Sequence, residues 1–369
     1  VLFIILHPLN TIKFYKFQLQ YNCVLQNLYN YIEKKYNIQL QMNYANKKFW
    51  GDEFILFLDK LAFANLYTFL EIFYHRNMKK ILFVLIALFS LNYCFSQEEE
   101  FPASDSGILE LTDNEQKAIS DMFDFSLTLE NVKEPLEAAK MVDVYYQTVN
   151  SEEYSKDISE SVLICLNNVL LWQKYNFYYE SDINHPEIES IIKNQYKVVK
   201  TWFKEHKKQP QTKWIYSTSG NVLSSCMQFL PMGTAMNEGL NVKKYYDIAL
   251  KQDADFSYCL TNIAQWYFFA PAMGGGSKSK AKACFEKAIE TAKSDYDLYF
   301  AKVFLSQCYY EDGNKEKCLE LLSQAEQIVP NGRTIAHFKL VNSVGHSYFD
   351  YTMNRKKIDK KIEKMGLSF

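Results

Sequence analysis

The segment Gly274-Gly275-Gly276-Ser277-Lys278-Ser279 holds the residue types of a phosphate-binding loop, namely glycines that let backbone N–H groups converge and a lysine beside hydroxyls. Phosphate cradling needs glycine, lysine and Ser/Thr in direct succession after a buried strand. Here Ser277 separates glycine from lysine, and the preceding residues have helical spacing, so the stretch reads as a loop. Metal chemistry has no better footing. Beyond residue 96 the histidines are His185, His206, His337 and His346; none are paired at helical i, i+4 spacing, and no two cysteines form Cys-x-x-Cys. His337 and His346 are expected on helix surfaces or in local hydrogen bonds. No nucleophile elbow occurs, and carboxylate pairs such as Glu152-Glu153 fall in solvated turns. The expectation is a protein that is not an enzyme and uses no cofactor and no metal.

Recognition is what remains. Trp266, Tyr267, Phe268 and Phe269 are successive, and four neighbouring aromatics cannot all enter one narrow helix seam. With Pro271, which breaks the helix, and Gly274, Gly275 and Gly276, which accept positive φ, they form the candidate ligand- or partner-binding segment. The alternative is that these aromatics, like Trp172, Trp202 and Trp214 elsewhere, only fill grooves between helices.

The elements that position this segment repeat. Ala281, Phe285 and Ala288 have the small-aromatic-small spacing of the second helix in a tetratricopeptide hairpin. Val242, Tyr246 and Ala249 precede them, and Cys318, Leu322 and Ala325 follow, with Pro330 closing the last copy. The last members are 39 and 37 residues apart, a period of about 34 plus a few loop residues. First-helix positions are Ile263, Ala264 and Tyr267 in the middle copy and Leu305, Ser306 and Tyr309 in the last, where Gly313 makes the turn. The fold class expected is all-α, a tetratricopeptide-like α-solenoid of stacked antiparallel helix hairpins, covering residues 212–369. Residues 112–211 form a helical N-terminal region opened by a Thr112/Glu115 capping box. Helices are expected at about 134–149, 157–179, 186–207, 212–230, 236–252, 256–270, 277–293, 295–311, 314–328 and 332–350, with a final one to about 365.

Met78-Lys79-Lys80 followed by uncharged Ile81 to Leu91 has the layout of a secretory signal. Residues 78–96 are therefore expected to be a signal peptide, with 1–77 a mistranslated upstream extension and 97–111 a flexible tether. A lipoprotein alternative uses Cys94 as the acylated residue, and a membrane anchor at 81–96 behind a real N-terminal domain is the competing reading. The chain carries 41 Lys+Arg against 43 Asp+Glu; residues 1–96 hold 10 of the former and 5 of the latter, so the remainder is acidic, at about −7. That excludes nucleic acid as an expected partner, because its binders need a basic surface. Basic residues at 355–364 read as the solvated face of a C-terminal helix. Six cysteines remain after residue 96, all in expected helices, and buried thiols are favoured over a disulfide framework.

With its Pro271/Gly274-Gly275-Gly276 insertion and the Ala281-x-x-x-Phe285-x-x-Ala288 helix, the region from about 212 to 365 resembles the T component of tripartite ATP-independent periplasmic (TRAP) transporters. Asn354 is the counterpart of the asparagine that heads that family's final helix. The resemblance implies a periplasmic or lipid-anchored protein that oligomerises, contains an apolar ligand channel and docks a solute-binding protein. The function expected is that of an exported, non-enzymatic accessory of solute uptake. The alternative is a generic tetratricopeptide scaffold of the cell envelope, mediating protein–protein interaction.

Overall fold

The computed structural model describes residues 108–367 apart from 208, and these belong to one compact unit. The extension, signal peptide and Cys94 lipidation site read from the sequence lie outside the described residues, as does most of the 97–111 tether. Among the described residues the fold is all-α, with 13 α-helices and no strand; the one isolated bridge joins Ile108 to Gln211. The helices are α1 (Asp113–Thr128), α2 (Pro135–Val149), α3 (Glu152–Ser155), α4 (Glu160–Ser181), α5 (Ile188–Glu205), α6 (Lys213–Cys226) and α7 (Met232–Gln252). They continue with α8 (Ser257–Phe269), α9 (Lys278–Thr291), α10 (Asp295–Glu311), α11 (Lys315–Glu326), α12 (Arg333–Ser343) and α13 (Tyr348–Lys364). No helix among the described residues is long and apolar enough to cross a membrane.

Local chemistry sets the ends of these elements. At α1 the Thr112 hydroxyl accepts from Glu115 N–H while the Glu115 carboxylate accepts from Thr112 N–H at 2.9 Å, the reciprocal cap read from the sequence. Pro135 opens α2, where its missing N–H costs nothing. Glu152-Glu153, expected in a turn, instead begin the single-turn helix α3 behind the N-cap Ser151. The expected helix 332–350 is two helices. Gly345 adopts φ 88° and Ser347 caps α13 by accepting from Asp350 N–H at 2.9 Å, so chain direction changes between Ser343 and Tyr348. Asn354 does not start that helix; it lies within α13 at a kink, with φ −124° and ψ 24°.

Neighbouring helices pack as hairpins, α6 with α7, α8 with α9 and α10 with α11, an all-α helical-repeat arrangement. The triplets read from the sequence face these seams: Ala281, Phe285, Ala288, Leu322, Ala325, Val242 and Ala249 are fully buried, and Tyr246 and Cys318 nearly so. Small residues at the crossing let the paired backbones approach, which one hairpin alone could not exploit. Replacing Ala281 by Leu is therefore expected to overpack the α8/α9 seam and cost about 1–3 kcal/mol. Lys278→Ala removes an exposed ion pair to Glu311 and is expected to change stability by less than about 1 kcal/mol. Thermal melts of the two variants check the repeat register.

Upstream of the hairpins, α4 packs against α2, α5 and α6, and its polar side chains are bonded inside the stack. Gln195 donates to Asn168 at 2.6 Å, and Asn168 donates to Thr218 at 3.1 Å, linking α5, α4 and α6. Asn221 donates to the Tyr258 hydroxyl at 2.8 Å and accepts from that of Tyr246 at 2.7 Å, which ties α6 to α8 and α7. Helix α1 leaves this region to touch both α4 and α10, and the 3-10 turn that follows it touches α12. The two ends of the described chain thus meet.

Candidate functional site

Helix α4 is the axis of that meeting. Gln173, Phe177 and Glu180 lie on one face, and Gln173 is seven residues from Glu180, about 10 Å along the helix. Facing them are residues of α8, α10, α12 and α13, and the space enclosed has a volume of about 210 Å³. Its walls are largely aromatic, with Phe177, Tyr258, Phe300, Phe304, Phe338 and Tyr348 among them. The rings also brace one another: Phe338 stacks on Tyr348 at 4.2 Å, and Phe304 stands edge-on to Phe338 at 5.8 Å.

One end of the cavity is a compensated charge cluster. The Arg333 guanidinium donates to Glu180, lies 3.7 Å from Glu130 and covers the Phe177 ring at 4.7 Å. Arg355 donates to the carbonyls of Tyr179 and Glu180, the latter at 2.6 Å, and covers the Tyr179 ring at 5.3 Å. Glu130, from the turn after α1, accepts from the Tyr299 hydroxyl at 2.7 Å, from Thr334 N–H at 3.0 Å and from the Thr334 hydroxyl at 2.9 Å. His337 packs edge-on against Tyr351 at 4.9 Å. Burial pushes its imidazole down to about 3, with Arg355 and Arg333 adding to the shift. The Glu180 carboxylate, 3.9 Å away, is already engaged by Arg333.

The other end holds acceptors without donors. Gln173 Oε1, Thr261 Oγ1 and Asp297 Oδ1 are buried, line the cavity and make no hydrogen bond. Asp297 sits in the first turn of α10, where its second oxygen accepts from the Ser294 hydroxyl at 3.0 Å. Burial raises its carboxyl to about 6 despite that bond.

The candidates read from the sequence are spread around α8 rather than gathered at the cavity. Phe269 lines it; Trp266 is buried beside it, in a second space of about 40 Å³ shared with Trp172, Tyr246 and Phe269. Phe268 stacks on Phe349 at 3.7 Å, and the half-buried Tyr267 ring lies beneath Lys243 and Lys280. Pro271 is exposed, and of the three glycines only Gly275 adopts positive φ, at 95°; a Cβ on Gly276 would lie 1.7 Å from the Ala270 carbonyl oxygen, whereas one on Gly274 would meet only ordinary contacts. His337, expected on a helix surface or in a local hydrogen bond, is instead half-buried in the cavity wall, because α12 faces inward onto α4 and α13. Gln173, Thr261, Asp297 and Arg333 carried no signal in the sequence. No family model matches the chain, and no curated protein does. Among the described residues no group of three or more His, Cys, Asp or Glu could hold a metal ion, and all six cysteines are free thiols.

Proposed function

We propose that this chain is a non-enzymatic binding protein whose helical repeats enclose a small ligand between the two ends of the stack. The observation that carries the reading is the 210 Å³ cavity with aromatic walls and buried polar atoms that have no partner within the chain. A cavity of about 150 Å³ accommodates benzene, so this one suits a ring plus a short side chain. Unpaired buried polar groups cost about 1–3 kcal/mol each, a penalty that a bound molecule relieves. An exported role in solute uptake, with a solute-binding protein as partner, is supported by the resemblance of residues 212–365 to TRAP T components. The generic scaffold reading draws on the same hairpins but leaves the cavity unexplained.

The test is mass spectrometry of the protein purified from its native envelope, before and after denaturation, with co-purified proteins identified in parallel. The expected result is a small molecule released at about one per chain, together with an uptake subunit. Protein that carries nothing, and that no member of a metabolite panel stabilises against heat, would leave only the scaffold reading.

A further inference from the structure

The cavity's charges are not balanced evenly along its length. At the α12/α13 end Arg333 meets Glu130 and Glu180 and Arg355 meets Asp359, whereas at the α8/α10 end no cation lines the cavity beside Asp297, and Lys213 and Lys293 attract its carboxylate from outside the lining. Lining the same cavity are two further acceptors on side chains about nine-tenths buried or more, Thr261 at 6% exposure and Gln173 at 9%. Tyr258 and Tyr296, whose rings are 6.3 Å apart, stand at the same end, one turn before Thr261 and next to Asp297 respectively. Phe300, one turn beyond Asp297 on α10, continues the wall toward Phe304 and Phe338.

We infer that the ligand is a primary monoamine with a compact apolar body, its ammonium held by Asp297, Gln173 and Thr261. An alkylammonium has three N–H donors and no acceptor, which matches three unpartnered acceptor oxygens lining one cavity. Aromatic faces add cation–π attraction in a desolvated site, and Asp297, the carboxylate at this end with no cation in the lining beside it, supplies the countercharge. The apolar body lies against Phe300, Phe304 and Phe338. At the far end the carboxylates are already engaged by Arg333 and Arg355, so a second ammonium finds no free countercharge there and diamines are disfavoured. A carboxylate in place of the amine meets Asp297 with like charge and is rejected at the near end.

This inference rests on the cavity being a binding site, and the experiment separates the two. Titration calorimetry on the full chain uses phenethylamine, 3-phenylpropionate and 1,4-diaminobutane as probes. Phenethylamine is expected to bind at one per chain, at least tenfold more tightly than either other probe. Asp297→Asn is expected to weaken it at least tenfold, and Gln173→Leu severalfold, in chains whose helical circular dichroism matches wild type. If Asp297→Asn fails to fold, Gln173→Leu and the probe ranking carry the decision. Tighter binding of 3-phenylpropionate, or unchanged phenethylamine affinity in the variants, overturns the amine while leaving the cavity a binding site. Binding of no probe also overturns the amine; the cavity reading then stands or falls on the molecule released from native protein.

Discussion

Glu130→Ala is expected to lower the stability of the protein by about 3–5 kcal/mol, the range for breaking a buried ion pair by removing one partner. Glu130 is 4% exposed and joins parts of the chain 169 and 204 residues apart, through Tyr299 and Thr334. Helix α12 begins at Arg333 behind Gly332, which has no side chain to cap it. The Glu130 carboxylate takes that role from the opposite end of the sequence, accepting from Thr334 N–H and standing at the positive end of the helix. Gly332 is itself required here, since a Cβ at that position would lie 2.4 Å from the Tyr299 hydroxyl. Alanine would strand the Tyr299 hydroxyl and one helix N–H and remove a countercharge from Arg333. Glu130→Gln keeps an acceptor oxygen and is expected to cost about 1–3 kcal/mol. Urea unfolding of both variants measures this; a loss under 1 kcal/mol for alanine would mean the two ends are not clasped.

The contrast between this clasp and the hairpins shows what a sequence makes legible. Ala281, Phe285 and Ala288 announce their seam because helical spacing is local and small residues mark a close crossing. The Thr112/Glu115 cap is legible for the same reason. The break between α12 and α13 had a readable signal too, Gly345 followed by Ser347 and, three residues on, Asp350. The cavity had none. Its walls come from α4, α8, α10, α12 and α13, and nothing local distinguishes Gln173 or Asp297 from other polar residues on a helix. The aromatic run at 266–269 drew attention through composition, yet consecutive helical residues point about 100° apart. Only Phe269 reaches the larger space, while Phe268 turns to Phe349 and Trp266 to the smaller one. That His337 lines the cavity is not legible either, because nothing near it in sequence indicates that α12 faces α4.

Acidification is expected to separate two cavity variants by about 6 kcal/mol between pH 7 and pH 4. The His337 imidazole titrates at about 3 when folded against an ordinary 6.5, so its contribution is fully present above pH 6.5. Below that the unfolded chain takes up a proton the native state refuses, and stability falls by about 1.4 kcal/mol per pH unit until about pH 3. Asp297 has the opposite sign. Its folded value of about 6 exceeds the ordinary 3.8, so as pH falls through 6 the native state gains a proton before the unfolded chain does, and stability rises until about pH 4. In the wild type these slopes nearly cancel between pH 6 and 4. Asp297→Asn exposes the histidine limb and is expected to lose about 2 kcal/mol over that range relative to wild type, whereas His337→Gln is expected to gain about 2.5 kcal/mol. Carboxylates remote from both positions, such as Glu115, whose value is lowered by hydrogen bonds from Ser159 and Thr112, act equally in both variants and drop out of the difference. Urea denaturation of the two variants at half-unit pH steps measures the divergence directly. Parallel curves would mean that neither side chain is buried as the cavity requires, and would remove the basis for a desolvated site at the meeting of the two ends.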